Sequence, residues 1–351
     1  MRIVFEKRKS FSKKSLVIVP IVSFLISLIL GTVLLLSLGV NPIETYYVMF
    51  SGAFATWIDF SDTLVKSIPL ILAGTGIIVA FKMKFWNIGA EGQLIFGGIF
   101  ASGAALFLPS VVPHIFVIPM AVITGMIGGA LWAAIPALLK AYLKVDETLT
   151  TLMLNYVAIY FASFLYFGPW KEQGSGYRGT KEFDESAWLP ILDGNLHIGI
   201  IFAVLAAILV WFLLAKTKWG FELNILGENQ NNARYIGVNI PRKIVSAMFI
   251  SGGLAGLAGT FEVLGVMHRL EDGLVMNYGY TAIIVAWMSQ LNAIAAIFVA
   301  VLLAGLIVGG ELVQMFVGLP AAVSDVLQGL ILFPLLAGAL FTEYKLKIIR
   351  K

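Results

Sequence analysis

The sequence predicts an all-α polytopic membrane protein of about ten transmembrane helices, and three observations carry that prediction. Of its 351 residues, 59% are hydrophobic and only 13% charged, with a mean hydropathy of +0.92. A soluble domain is ordinarily about 45–50% apolar and about 25% charged. Apolar runs of about 20 residues recur along the chain, each long enough to cross a hydrocarbon core of about 30 Å. The runs do not alternate polar and apolar residues, as barrel strands do, so helices are the expected form. Soluble, disordered and collagenous classes are excluded. With no cysteine, so are disulfides, thiolate metal sites and thiol nucleophiles.

The first run, Leu16–Leu38, follows six basic residues from Arg2 to Lys14. It is too long for the apolar region of a signal peptide and no small-x-small site follows, so it reads as a retained anchor. The further runs are Leu64–Phe81, Leu94–Leu108, Ile115–Leu139, Thr150–Phe167, Ile198–Ala215, Ile244–Val266, Tyr278–Met288, Ile294–Val308 and Ala321–Phe341. Threaded from a cytoplasmic start, ten crossings place all but Lys66, Lys171, Arg178, Lys181 and Arg269 of the 24 Lys+Arg on the inside. That charge bias is the positive-inside pattern, and an even number of spans leaves both termini in the cytoplasm. An acidic loop with a tryptophan, Lys171–Asn195, falls outside. Omitting the short Tyr278–Met288 run would invert the basic C-terminus.

Two polar interruptions look alike in layout. Asn87–Gln93 follows the span that ends near Phe81. His268–Gly279, with Asn277-Tyr278-Gly279, follows the span that ends near Val266. Each precedes a short span rich in small residues. The threading puts the first toward the cytoplasm and the second toward the outside, which is the layout of an inverted-topology repeat around a transport pathway.

The dipeptide Gly-Lys is absent, so no P-loop exists and any ATP hydrolysis belongs to another chain. His114, His197 and His268 lie far apart at expected membrane edges, and interfacial placement is favoured over a metal site. Lys66, Glu91, Glu262, Glu311 and Asp325 are the charges in or beside spans. Snorkelling or capping accounts for Lys66, Glu311 and Asp325. Glu91 sits inside a polar break. Its two readings are a pathway or gate, and a buried hinge in which it caps the following helix. Glu262 is the nearest candidate for ion coupling in a secondary transporter. A membrane enzyme would need an acidic or histidine cluster, and none stands out.

The long inside loop Lys216–Lys243 is polar, with Gly220, Gly227, Gly237 and Pro241. A short surface helix is expected between Glu228 and Tyr235, as a docking surface for a cytoplasmic partner. Ala233 at its middle is read as the small residue that lets the helix enter a partner's groove. Gly252, Gly256 and Gly259 form a small-residue face suited to tight helix packing, as do Gly125 and Gly129.

Four stretches resemble the permease subunits of bacterial ABC importers for nucleosides, within the wider group of sugar and branched-chain amino-acid permeases. They are Phe85–Gln93, Asp146–Tyr156, Gly220–Gly237 and Pro320–Gly329. The wording Ala90-Glu91-Gly92-Gln93 and the extended N-terminus are similar to the longer of the two nucleoside permeases. Two departures are Asn232-Ala233, where the family usually has two alanines, and Ser289–Asn292, where it often has Gly-Arg-Asn.

The resemblance implies one transmembrane permease domain over 16–351 behind a basic cytoplasmic segment 1–15. Its repeat halves would lie at about 64–168 and 244–341, with a coupling loop at 216–243. It implies a transport pathway at Asn87, Glu91, Gln93, Asn155 and Tyr278, and ATPase coupling through Gly227, Glu228, Asn229, Ala233, Arg234 and Gly237. It implies a cytoplasmic ABC ATPase that uses ATP and Mg, a second permease in a heterodimer, and an extracytoplasmic substrate-binding protein. No catalytic residue, metal or cofactor is expected in this chain. The expected cargo is a nucleoside, with a simple sugar such as ribose, or another small solute, as the alternative.

Overall fold

The computed structural model of the protein describes residues 2–7, 13–174, 178–274, 277–320, 323, 326–327, 329–334, 337–338 and 344–349. Apart from two short antiparallel strand pairs, the described elements are helical. Among the described residues, seven helices are long and apolar enough to cross a membrane. They are α3 (Trp57–Lys82), α4 (Ala90–Phe107), α5 (Val117–Leu143), α6 (Glu147–Phe167), α7 (Gly199–Lys216), α10 (Ile240–Glu262) and α12 (Ala293–Val317). The chain is a multi-pass membrane protein.

The remaining expected runs take three forms. The first lies in α1 (Lys13–Ser37). The short late run is α11 (Tyr278–Met288), whose 11 residues extend about 16 Å, half of a hydrocarbon core. Much of the last run, with Asp325, lies outside the described residues. Helix α2 (Pro42–Phe54) was not expected. Its start is nonetheless written in the sequence, as Asn41 caps the N–H of Ile43 and Pro42 takes the first turn.

The chain divides into two compact units. One comprises residues 1–63 and 303–351. There Leu35, Met49, Val313, Leu327 and Ile331 form a small core. Ser27 donates to the carbonyl of Ile331 and Tyr46 to that of Leu28, both at 2.8 Å. The terminal strands β1 (Arg2–Lys7) and β4 (Tyr344–Ile349) pair antiparallel, with Arg2 opposite Ile349. Nothing in the composition of either terminus had marked it as a strand.

The second unit, residues 64–302, is built on α4, α5 and α10. The glycine faces read from the sequence meet here. A side chain on Gly97 would meet the Gly256 backbone, one on Gly129 would meet Gly252 and Gly256, and one on Gly259 would meet Leu94. Three backbones therefore touch, which is how small residues hold helices together where lipid supplies no hydrophobic driving force. At its far end α10 loosens into a π turn, Val263–Met267, and His268 closes it in the left-handed region at φ 55°.

The loop after α6 folds onto that π turn. Phe183 N–H bonds to the carbonyl of His268, and Leu189 N–H to that of Leu264. Trp188 stacks on His268 at 4.2 Å between ring centroids. His197, in the small hairpin β2 (Ile191–Asp193) and β3 (Leu196–His197), is buried and accepts from the N–H of Gly199. It stands two residues before α7, at the end of a span as expected, with its ring enclosed by the protein. Its ring fits between Gly199 and Gly265, where any side chain would collide with it.

Candidate functional site

The first candidate region is the polar break before α4. Four of the five expected pathway residues, Asn87, Glu91, Gln93 and Asn155, enter one buried cluster of hydrogen bonds. The amides of Asn87 and Gln93 bond reciprocally at 3.1 and 3.0 Å. Asn87 also donates to Ser251 Oγ at 3.1 Å on α10, and its Oδ1 accepts from the N–H of Gly89. Asn155, on α6, accepts from the N–H of Gly92 at 2.9 Å and donates to the carbonyl of Ile88 and the hydroxyl of Tyr280. Thr151 Oγ1 accepts from the N–H of Ile88. The break frees backbone groups that a continuous helix would satisfy itself, and these side chains take their place.

Glu91 carries the most distinctive contact. It lies in the first turn of α4, and its carboxylate accepts from the N–H of Asn277 at 3.1 Å and of Gly279 at 2.6 Å. Those amides open α11. The carboxylate therefore caps a helix nearly two hundred residues away and meets the positive end of its dipole. Of the two readings drawn from the sequence, pathway or gate and buried hinge, the hinge has it capping the helix that follows it, whereas the helix it caps is α11. Gly279 makes the approach possible, because a Cβ there would run into the backbone of Ala90 and Glu91. Asn277 enters the helix from the left-handed region at φ 58°.

The two breaks had been assigned to opposite membrane faces. In the structure their inner ends meet, at Glu91 and Asn277–Gly279. The other end of α11 packs Trp287 against Phe81 and Trp86, with centroids 5.8 and 5.7 Å apart. Helix α11 thus runs from the junction to the end of α3 marked by Lys82. The fifth expected pathway residue, Tyr278, is buried at the start of α11, with the ammonium of Lys66 6.0 Å from its ring centroid. Glu262 is buried in the last turn of α10, whereas Glu311 on α12 is exposed.

Ser251, Thr151, Gly279 and Tyr280 were not singled out as site residues in the sequence. Only proximity in space reveals them, although Gly279 stood inside the second break.

The second candidate region is the loop between α7 and α10. Two helices occupy it: α8 (Lys218–Glu228), which was not expected, and α9 (Gln230–Tyr235), close to the short helix expected there. Thr217 caps α8 by accepting from Gly220 N–H, and Asn229 caps α9 by accepting from Asn231 and Asn232 N–H. Helix α8 is held to α10 by Lys243–Glu222 at 2.6 Å and by Trp219 Nε1 donating to Ser246. Gly227 lies against the backbone of Lys82 and Met83. Gly237 turns the chain out of α9 at φ 80°.

On α9, Asn231, Asn232, Arg234 and Tyr235 are exposed, as are Glu228 and Asn229 before it. Ala233 is fully buried. Its methyl group faces its own chain, so the reading of Ala233 as a residue inserted into a partner's groove does not hold. The exposed face is that of Asn231, Asn232, Arg234 and Tyr235.

Comparison with known proteins places these regions in context. The family of branched-chain amino acid transport system / permease components matches residues 60–336. A glucose ABC transporter permease protein of Haloferax volcanii is 31% identical over 94% of this chain and 89% of its own length. The guanosine ABC transporter permease protein of Bacillus subtilis is 33% identical over 90% of this chain and 91% of its own. A nucleoside ABC transporter permease protein of Lactococcus lactis subsp. cremoris is 31% identical over 83% of each chain. The junction before α4 and the α8–α9 segment both fall within the matched residues. The chain therefore belongs to the family of branched-chain amino acid transport system / permease components, and is a membrane-embedded permease component of an ABC importer, not an enzyme.

Proposed function

We propose that this chain forms half of the transmembrane pathway of an ATP-driven nucleoside importer. The observation that carries the reading is the junction at which Glu91 holds the first amides of a half-length helix. A broken helix whose end is held by a few polar contacts is a natural moving part in alternating access. ATP and Mg act on a separate cytoplasmic ATPase, which would meet the exposed face of α9. Because α8 is tied to α10, a push on this segment would pass into the glycine-packed helices α4, α5 and α10, and through Glu91 to α11. A substrate-binding protein would deliver cargo on the opposite side, and a second, related permease would complete the pore.

The finer topology belongs to the same proposal. The seven spans, with α1, α11 and the last run, make ten crossings. Pairing of β1 with β4 supports an even number, since it puts both termini on one side, and the charge bias makes that side the cytoplasm. The meeting of the two breaks supports an inverted repeat. On this reading residues 16–351 act as one permease domain behind the basic segment 1–15.

Nucleoside cargo rests on the guanosine and nucleoside relatives. The Haloferax glucose relative favours a second reading, a simple sugar. Uptake of labelled guanosine and labelled glucose separates them, measured in liposomes holding this chain with its ATPase, second permease and binding protein. Guanosine uptake that requires ATP is expected. Glucose uptake alone would replace the cargo. Uptake driven by an ion gradient without ATP would contradict the importer class.

A further inference from the structure

An open cavity of about 460 Å³ lies between the end of α5 and the start of α10. Its lining is ordered by polarity along the helix axes. Tyr142 and Arg242 stand at one end, in the last turn of α5 and the first turn of α10. Leu138, Val245, Ser246, Phe249 and Ile250 continue inward from them, Phe249 about 10 Å beyond Arg242 along the helix, and the Ser246 hydroxyl is taken up by Trp219 and the carbonyl of Lys243. The apolar wall does not stop at the cavity. Leu131, Ile135, Leu138 and Tyr142 recur at helical spacing along α5 and are 50%, 39%, 46% and 65% exposed. The cavity is thus continuous with a stripe that faces hydrocarbon.

The charges at the mouth are uneven. Lys140 is paired with Glu147 at 2.5 Å and Lys243 with Glu222 at 2.6 Å. Among the described residues, Arg242 has no carboxylate within ion-pair distance. Its guanidinium is therefore a cation with open donors, at the end of an apolar groove, where the helices leave the membrane. A basic group at that depth, above a groove between spanning helices, matches the head and tail of a lipid.

We propose that this groove binds one anionic phospholipid, with its phosphate on Arg242 and an acyl chain along Leu138, Val245 and Phe249. Charge complementarity selects the anionic class, because a zwitterionic headgroup would bring its own cation beside Arg242. The stripe along α5 is made of large side chains, Leu131, Ile135, Leu138 and Tyr142, whereas helices pack on one another in membranes through small ones, and this favours lipid over a partner helix.

The test uses the full chain in nanodiscs of equal phosphatidylglycerol and phosphatidylcholine, with retained lipid counted by native mass spectrometry. The wild type is expected to keep one phosphatidylglycerol. Arg242→Gln should weaken its retention about fivefold, while Arg242→Lys keeps most of it. Val245→Trp, which fills the groove and leaves Arg242 in place, should also release it. Equal retention of the two lipids, or unchanged retention in Arg242→Gln, would overturn the proposal. So would a cross-link from Phe249→Cys to another subunit of the assembled importer, which would assign the groove to a protein partner.

Discussion

At the start of α4, Asn87, Glu91 and Gln93 are buried and bonded to groups of the same chain, whereas along α9 Asn231, Asn232, Arg234 and Tyr235 face outward, and Tyr235 is 89% exposed. Both stretches carry Asn and Gln, and both interrupt a hydrophobic sequence. The difference lies in where their hydrogen bonds go. Before α4 Asn87 and Glu91 take up backbone N–H groups at the ends of broken helices, and Gln93 is held by Asn87. In α9 the Asn229 cap satisfies the first backbone amides, and the side chains face outward. Equal polarity in a membrane protein can thus mean an internal joint or an external handle, and burial of the side chains separates the two.

The comparison breaks first at Gly279. Gly279→Val would drive a branched side chain into the backbone of Ala90 and Glu91. Overpacking of this kind costs about 3 kcal/mol. A markedly lower unfolding temperature in detergent, with loss of uptake, is the expected outcome. A wild-type melting temperature would mean that α11 does not pack on α4 as described.

His197 belongs with the buried class, and pH reads it. Burial, together with the nearby His268, pushes its imidazole down to about 4 from an ordinary value of 6.5. As pH falls from about 6.5 toward 4, the unfolded chain takes up the proton first and the folded chain loses about 3 kcal/mol. Above pH 6.5 this group adds no pH dependence. His197→Gln keeps an acceptor for Gly199 N–H without a titrating ring, so the acid-side slope of the melting temperature should flatten. An unchanged slope would place the acid sensitivity elsewhere.

Helix α9 gives a paired test within six residues. Ala233→Asp buries an unpaired carboxylate and should cost about 2 kcal/mol or more of fold stability, read as lower yield of monodisperse protein. Tyr235→Ala removes an exposed aromatic and should leave the fold unchanged. If α9 is the handle, it weakens ATPase association by about 2 kcal/mol, or roughly thirtyfold in pull-down titrations. Unfolding by Tyr235→Ala, or normal folding of Ala233→Asp, would reverse the assignment of the two faces.

Much of the fold was legible in the sequence because hydrocarbon imposes a simple rule on composition. Residues 278–288 were delimited to the residue, and the glycine faces of α5 and α10 were named before their contact was visible. Helix α2 escaped because Asn41-Pro42 is a local start signal without a long apolar run behind it. The strand pair β1–β4 escaped because it joins the two ends of the chain. Glu91 was legible as a charge where none should be idle, but its partner was not, since helix-end amides carry no sequence identity. Ala233 was placed on the wrong face because a six-residue helix has too few turns for periodicity to assign one.

Uptake by the assembled importer carrying Glu91→Gln tests the joint most directly. The substitution keeps size and one acceptor oxygen, yet turns an amide group toward backbone N–H donors and removes the charge at the start of α11. Hydrogen bonds to charged groups contribute about 1.5–3 kcal/mol, enough to shift a conformational balance by tenfold or more. The account predicts at least a tenfold loss of ATP-dependent nucleoside uptake while the ATPase still co-purifies in wild-type amount. Wild-type uptake by this variant would contradict the claim that Glu91 couples α4 to α11 during transport.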